Sequence, residues 1–230
     1  MARPIVTIPR PLLRLLSFEW SFDRRGTGLG NNLAGVSVAS YSQFPVWRGS
    51  LSLSHHGGQI GQRRALQSQV QGRNGIYAVE MIDPAVFCEA EARTAVGIGA
   101  NGFPYSDGAH FSDGSGFAFI PVCHTVGAHS VGAKQLLLDV AQSSVPPKIG
   151  QVMSAGDYPF VVERVSSVGG SQYRVQIGSP CLRVDLEHGA EVRHVARGLF
   201  EAIDDTSGTA SYGPARHARP VLELREALRR

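Results

Sequence analysis

The sequence predicts a mainly β fold, in which a small sheet is covered by one helix and followed by a second, smaller β region. Three observations predict it. The 230 residues include 27 glycines and 13 prolines, more than a helical bundle tolerates, whereas turns between many short strands require them. Several stretches alternate apolar and polar residues with period two. One stretch, about residues 59–71, carries apolar residues at helical spacing between glycine breaks.

Each element follows in order. A Pro-punctuated arm opens the chain, with Pro4, Pro9 and Pro11. In Ser17 to Asp23, Phe18, Trp20 and Phe22 alternate with Glu19 and Ser21, the pattern of a half-buried strand. Arg24 to Asn32 reads as a turn or loop, and Leu33 to Tyr41 as a strand with Val36 and Val38 on one side. Val46 to Leu53 puts Trp47, Gly49, Leu51 and Leu53 on one face and Arg48, Ser50 and Ser52 on the other. Gly57 and Gly58 break that strand. Ile60, Leu66 and Val70 then recur at helical spacing through Arg63 and Arg64, and Gly72 stands where a left-handed terminator belongs. Ile76 to Met81 returns as a strand that Asp83-Pro84 stops.

The next stretch, about 93–140, repeats Ser106-Asp107-Gly108 as Ser112-Asp113-Gly114. These read as two tight turns whose Asp side chains satisfy local backbone donors, because the ligand spacing and closing Glu of a calcium loop are missing. Phe117 to Val122 and Lys134 to Val140 are apolar strands, the second with three consecutive leucines, as for a strand buried on both faces. Beyond Pro146-Pro147, Phe160 to Val168 and Tyr173 to Ile177 form a hairpin about Gly169-Gly170. Glu191 to Ile203 is a further ordered candidate. Pro220 to Leu228 is ambiguous, since Leu224 and Leu228 also fit helical spacing.

Composition limits the function classes. With 43% hydrophobic and 18% charged residues the chain can fold by burial alone. No apolar run approaches the roughly 20 residues of a membrane span; Leu12 to Phe22 is interrupted by Arg14 and Glu19. The start lacks the apolar core of a signal peptide. Three unpaired cysteines, Cys88, Cys123 and Cys181, suit a reducing cytoplasm rather than a disulfide framework. A net charge of +3 with few arginine clusters (Arg63 with Arg64; Arg216, Arg219, Arg229 and Arg230) does not argue for nucleic-acid binding.

The order from Phe44 to Pro84, a Trp-bearing strand, a polar helix, a Val70-Gln71-Gly72-Arg73 turn and an aromatic strand, resembles the distal tail and minor tail proteins of tailed bacteriophages. The resemblance continues in Ala155-Gly156-Asp157-Tyr158-Pro159-Phe160 and in Ser179-Pro180-Cys181-Leu182-Arg183, followed by His188-Gly189-Ala190-Glu191-Val192, and spans most of residues 44–200. A second proline is common in the family where this chain has Cys181. The resemblance implies a β-sandwich of the tail-tube or distal-tail type with one flanking helix, plus a second small β domain or insertion. On that reading residues 1–95 are the sandwich with its helix and arm, 96–145 a Gly/Ser-rich β insertion, and 146–230 a C-terminal β part that completes the sandwich or forms a second domain. It further implies a structural virion protein, made in the host cytoplasm and built into the tail tip. Its expected partners are its own copies in a ring, with a hexamer as the leading expectation and a trimer the alternative. Beyond these come the tail tube protein, the hub or baseplate protein and the tape measure protein, with DNA only in transit. Candidate interface residues are Trp47, Arg63, Arg64 and Arg183, and the arm is expected to act as a strap between subunits.

Enzymatic readings lack a constellation, and neither cofactor nor metal is expected. Gly26-Thr27-Gly28-Leu29-Gly30 has its third glycine one place early for a dinucleotide loop and no P-loop lysine. Cys123, His124 and His129 fall short of a zinc ligand set, and nothing marks Cys88 or Cys181 as an activated thiol. His55-His56 reads as exposed loop. Asp157, Glu163, Asp185 and Glu187 are scattered, without the paired placement of a cell-wall hydrolase. The alternative from another class is a receptor- or carbohydrate-binding module, in which the segment Gly97 to Gly116 presents Tyr105, His110 and Phe111.

Overall fold

The computed structural model describes residues 3–24, 27–31, 37–40, 45–98, 102–105, 107–117, 119–141, 145–178, 180–211 and 216–228. The chain is mainly β and divides into two compact units, Met1–Glu80 with Gly198–Arg230, and Met81–Arg197. These boundaries do not coincide with residues 95 and 145.

Unit one begins with β1 (Ile5–Thr7), β2 (Leu15–Asp23), β3 (Thr27–Asn31), β4 (Ser37–Ser40), β5 (Val46–Leu53), β6 (His55–His56), helix α1 (Gly58–Val70) and β7 (Ile76–Glu80). Unit two follows with α2 (Glu89–Ala95), β8 (Val122–Thr125), β9 (Gln135–Asp139), β10 (Val152–Ala155), β11 (Tyr158–Gly169), β12 (Gln172–Ile177) and β13 (Glu191–Arg193). The chain returns to unit one as β14 (Arg197–Ala202), β15 (His217–Ala218) and β16 (Val221–Glu226).

Unit one is built on a six-stranded sheet in the order β1-β7-β14-β16-β5-β2. The alternation in β5 is realised: Trp47, Gly49, Leu51 and Leu53 are buried and Arg48 is exposed. Trp20, opposite Gly49, lies across that glycine and against Phe200, with ring centroids 5.3 Å apart. Phe22 packs on Trp47 at 4.1 Å. The Trp47 backbone N–H donates to Glu226 Oε2 (3.1 Å), which gives that buried carboxylate a partner. Within residues 220–228, Val221–Glu226 is a strand, with Leu222, Leu224 and Glu226 pointing inward at period two.

One expectation for this unit is corrected. Residues 24–32 are not all loop: Thr27–Asn31 is a strand paired antiparallel with Ser37–Ser40, and residues 33–36 and 41 of the expected second strand lie outside the described residues. Within the chain the arm joins the sheet of unit one. β1 pairs parallel with β7, Leu12 and Leu13 are buried, and the Arg3 guanidinium donates to the carbonyls of Asn74 (2.9 Å) and Arg73 (2.8 Å) while pairing with Glu201 (2.8 Å). Helix α1 ends at Val70, and the expected terminator Gly72 is left-handed at φ 66°. Gln71, at φ 55° and ψ 51°, is the left-handed cap, and its N–H donates to Gln67 O.

Unit two contains a closed barrel in the order β10-β11-β12-β9-β8-β13. The expected hairpin is present as β11-β12. Gly156-Asp157 is the two-residue turn between β10 and β11, with Gly156 at φ 58°. Met153, Phe160, Val162, Val175, Ile177, Leu136, Leu138 and Val192 fill the interior. Leu137 between the two buried leucines is only half-buried, so β9 has one interior face rather than two. The stretch 117–122 is not a strand throughout. Phe117 makes an isolated bridge to Phe103, and regular pairing begins at Val122.

Candidate functional site

The four candidate interface residues differ in burial. Trp47, at 1% exposure, belongs to the core of unit one. On α1, Arg64 is exposed while Arg63 is turned inward. Arg183 is half-buried in the connection between β12 and β13.

Arg63 enters a small cavity of about 30 Å³ lined mainly by Ile8, Leu12, Leu53, Leu66, Tyr77 and Leu222. Its guanidinium donates through Nη1 to Gly208 O, and its Nε is buried without a hydrogen-bond partner. Neither Asp nor Glu occurs among the undescribed residues, and none of the described carboxylates forms an ion pair with Arg63. Burial, then the neighbouring Arg64, lowers the Arg63 pKa. His55 lines the same cavity. It is 1% exposed, against the expectation of an exposed loop, because its Nε2 bonds Leu12 O at 2.8 Å. A neutral Nε2–H tautomer leaves Nδ1 as a buried acceptor, and burial lowers the His55 pKa.

An exposed aromatic group lies in unit two. The Ser-Asp-Gly repeat forms the expected turns: Asp107 Oδ1 accepts from Ala109 N and Asp113 Oδ1 from Ser115 N, both at 2.9 Å, with Gly108 and Gly114 at positive φ. Each turn is preceded by an aromatic residue. Tyr105 and Phe111 precede the two turns and Phe117 follows the second at the same six-residue step, and the three rings pack edge to face with centroids 5.2–5.3 Å apart. All three remain 39–50% exposed. The six-residue period was visible in the sequence, but only Tyr105 and Phe111 were singled out from it.

The third feature is an edge. Among the described residues β2, nine residues long, pairs only with β5. The outward face beside it carries Ser21, Arg48, Arg225 and Glu201 in one cross-strand row. Arg48 and Arg225 are directly opposite, and the ion pair of Arg48 with Asp23 (2.8 Å) offsets their repulsion.

The polar side chains of unit two are engaged in structural contacts. Burial pushes the Cys123 thiol up to about 12, which leaves no thiolate to act as nucleophile or ligand at neutral pH. Asp157 pairs with Arg197 (3.1 Å) and Asp185 accepts from Val131 N (2.8 Å). Among the described residues no group of three or more His, Cys, Asp or Glu side chains could hold a metal ion. Thr27 to Gly30 of the glycine-rich stretch lies in β3, and the next element among the described residues is the strand β4. No family model matches the chain, and no curated protein matches it.

Proposed function

We propose that the chain is a structural component of a phage tail tip, a sandwich-type distal tail protein that assembles as a ring between the tail tube and the hub or baseplate. The observation that carries this reading is the open edge of the six-stranded sheet at β2. A long strand with a free row of N–H and C=O groups is a template for pairing with another chain, and a ring of copies closes such edges without an end. Two groups on this strand favour a partner. The Trp20 indole N–H is buried without an acceptor, and Leu16 is 56% exposed. Trp20 thus replaces Trp47 as the tryptophan best placed to serve an interface. Of the two helix arginines, Arg64 keeps the role of an intersubunit charge. The resemblance favours six copies, with the tape measure protein and DNA passing through the centre.

Absolute mass across a concentration series, by light scattering with negative-stain imaging of the largest species, tests this. Closed rings of six or three are expected, and a Ser17→Pro/Glu19→Pro double variant on the edge should abolish them. Rings unaffected by the prolines would remove β2 from the interface. A monomer at all concentrations, also in the presence of tube protein, would overturn the ring.

The exposed aromatic trio favours a second reading, a receptor- or glycan-binding role for residues 102–117. A glycan array probed with the native chain and a Tyr105→Ala/Phe111→Ala variant separates the two, since a purely structural ring component has no binding to lose.

A further inference from the structure

Two histidines distant in sequence meet where β15 pairs with β6. His217 lies directly opposite His56 in this two-stranded ladder, and their rings stack with centroids 4.5 Å apart and an interplanar angle of 23°. Both present the same nitrogen to the same atom: Ser54 Oγ lies 3.1 Å from His56 Nε2 and 3.2 Å from His217 Nε2. One hydroxyl proton can serve only one of these nitrogens, so the other ring must donate its own Nε2–H to Ser54 Oγ. His56 is exposed and His217 and Ser54 are half-buried, so a solute can reach the group.

We infer that His56 and His217 form a cross-strand chelate for a divalent transition metal, Zn²⁺, Ni²⁺ or Cu²⁺, bound through the two Nε2 atoms in place of the shared Ser54 contact. This departs from the expectation that the chain takes no metal. Imidazole nitrogens bind these ions at about 2.0–2.1 Å for zinc, and two nitrogens already directed at one point close on a cation once the ring that donates its Nε2–H to Ser54 Oγ carries that proton on Nδ1 instead. Ligation requires neutral imidazole. Two nitrogen donors disfavour Mg²⁺ and Ca²⁺, which take hard oxygen ligands, and favour the ions that prefer nitrogen. With no third His, Cys, Asp or Glu in reach among the described residues, water completes the coordination shell. The bound ion would clamp β15 onto the strand that leads into α1.

Calorimetric titration of the full chain with NiCl₂ and ZnCl₂ at pH 7.5 tests this. One ion per chain is expected, with at least tenfold loss of affinity in His56→Gln and in His217→Gln, no change in His110→Gln, and no binding of MgCl₂. The electron paramagnetic resonance spectrum of the Cu²⁺ complex of the native chain needs no variant and should show two imidazole nitrogens. Binding that survives in the His56→Gln/His217→Gln double variant, or a native chain that binds none of the three ions, overturns the site.

Discussion

Arg63 shows how a single residue can escape a reading by sequence pattern. Two adjacent arginines on a polar helix look like solvated charge, yet the 100° step between neighbours puts Arg64 outside and Arg63 in the apolar cavity beside His55. A buried charge with one carbonyl partner and no carboxylate is costly, and replacement by an apolar residue of similar length is often neutral or stabilising. Arg63→Met should therefore hold or raise the urea midpoint, despite a cost of about 1 kcal/mol for removing the donor to Gly208 O. A drop equivalent to more than about 3 kcal/mol, the penalty for breaking a matched pair, would show that an anion does neutralise Arg63. His194 is the opposite case, a buried histidine held neutral. It stacks on Phe87, Gln151 Nε2 bonds its Nδ1 (3.2 Å) and carbonyl (2.8 Å), and burial lowers its pKa to about 4. The unfolded chain takes up this proton near the ordinary 6.5 and the folded chain only near 4. Stability is thus complete above about pH 6.5 and falls as pH drops toward 4, by up to roughly 3 kcal/mol. Denaturant midpoints at pH 7.5 and 4.5 should differ in this direction, and the difference should shrink in His194→Gln.

At the level of elements, strands with strict alternation were legible and irregular ones were not. β5 and β12 match their expected ranges closely, because side chains on alternate sides of a pleat record burial directly. β3 was missed because Thr27–Asn31 has two glycines and no apolar alternation, and its pairing with β4 is a tertiary fact. Gly49 was read as a member of the apolar face, and the structure gives the reason for it. A Cβ there would stand inside the Trp20 ring, so Gly49→Ala must displace Trp20 from Phe200. A loss of about 1–3 kcal/mol is expected, together with a red shift of tryptophan emission as the indole moves toward water. An unchanged spectrum would mean that the backbone yields instead. The helix end offers the converse substitution. Gln71 occupies a left-handed conformation that costs a side-chain-bearing residue roughly 1–2 kcal/mol and glycine almost nothing. Gln71→Gly should accordingly stabilise unit one, by about 1 kcal/mol after the added unfolded-state entropy is offset, visible as a higher thermal midpoint.

The division of the whole chain was the least legible feature, for a physical reason. A strand's partner across a sheet leaves no local mark on its sequence, so nothing in residues 197–226 announces that β14 and β16 belong beside β7 and β5. Reading outward from Phe44 to Pro84 places cuts at 95 and 145, where composition changes; the two compact units of the structure change over at 80 and 197. Unit two is one continuous segment between two parts of unit one, and its two ends are joined by the hydrogen bond from Met81 N to Ala196 O (2.7 Å). A segment that leaves and re-enters at one point behaves as an inserted domain, with its own core and no need of the flanking chain to close its barrel. Residues 81–197 expressed alone should then fold cooperatively, with β-type circular dichroism, dispersed amide resonances and one denaturant transition. The remainder, with Glu80 joined to Gly198 by a short Gly-containing turn, should retain the six-stranded sheet, because the ends to be joined are already neighbours. If the excised segment collapses without fixed tertiary structure while the intact chain unfolds in one step, the two units are one cooperative body and the barrel depends on the sheet.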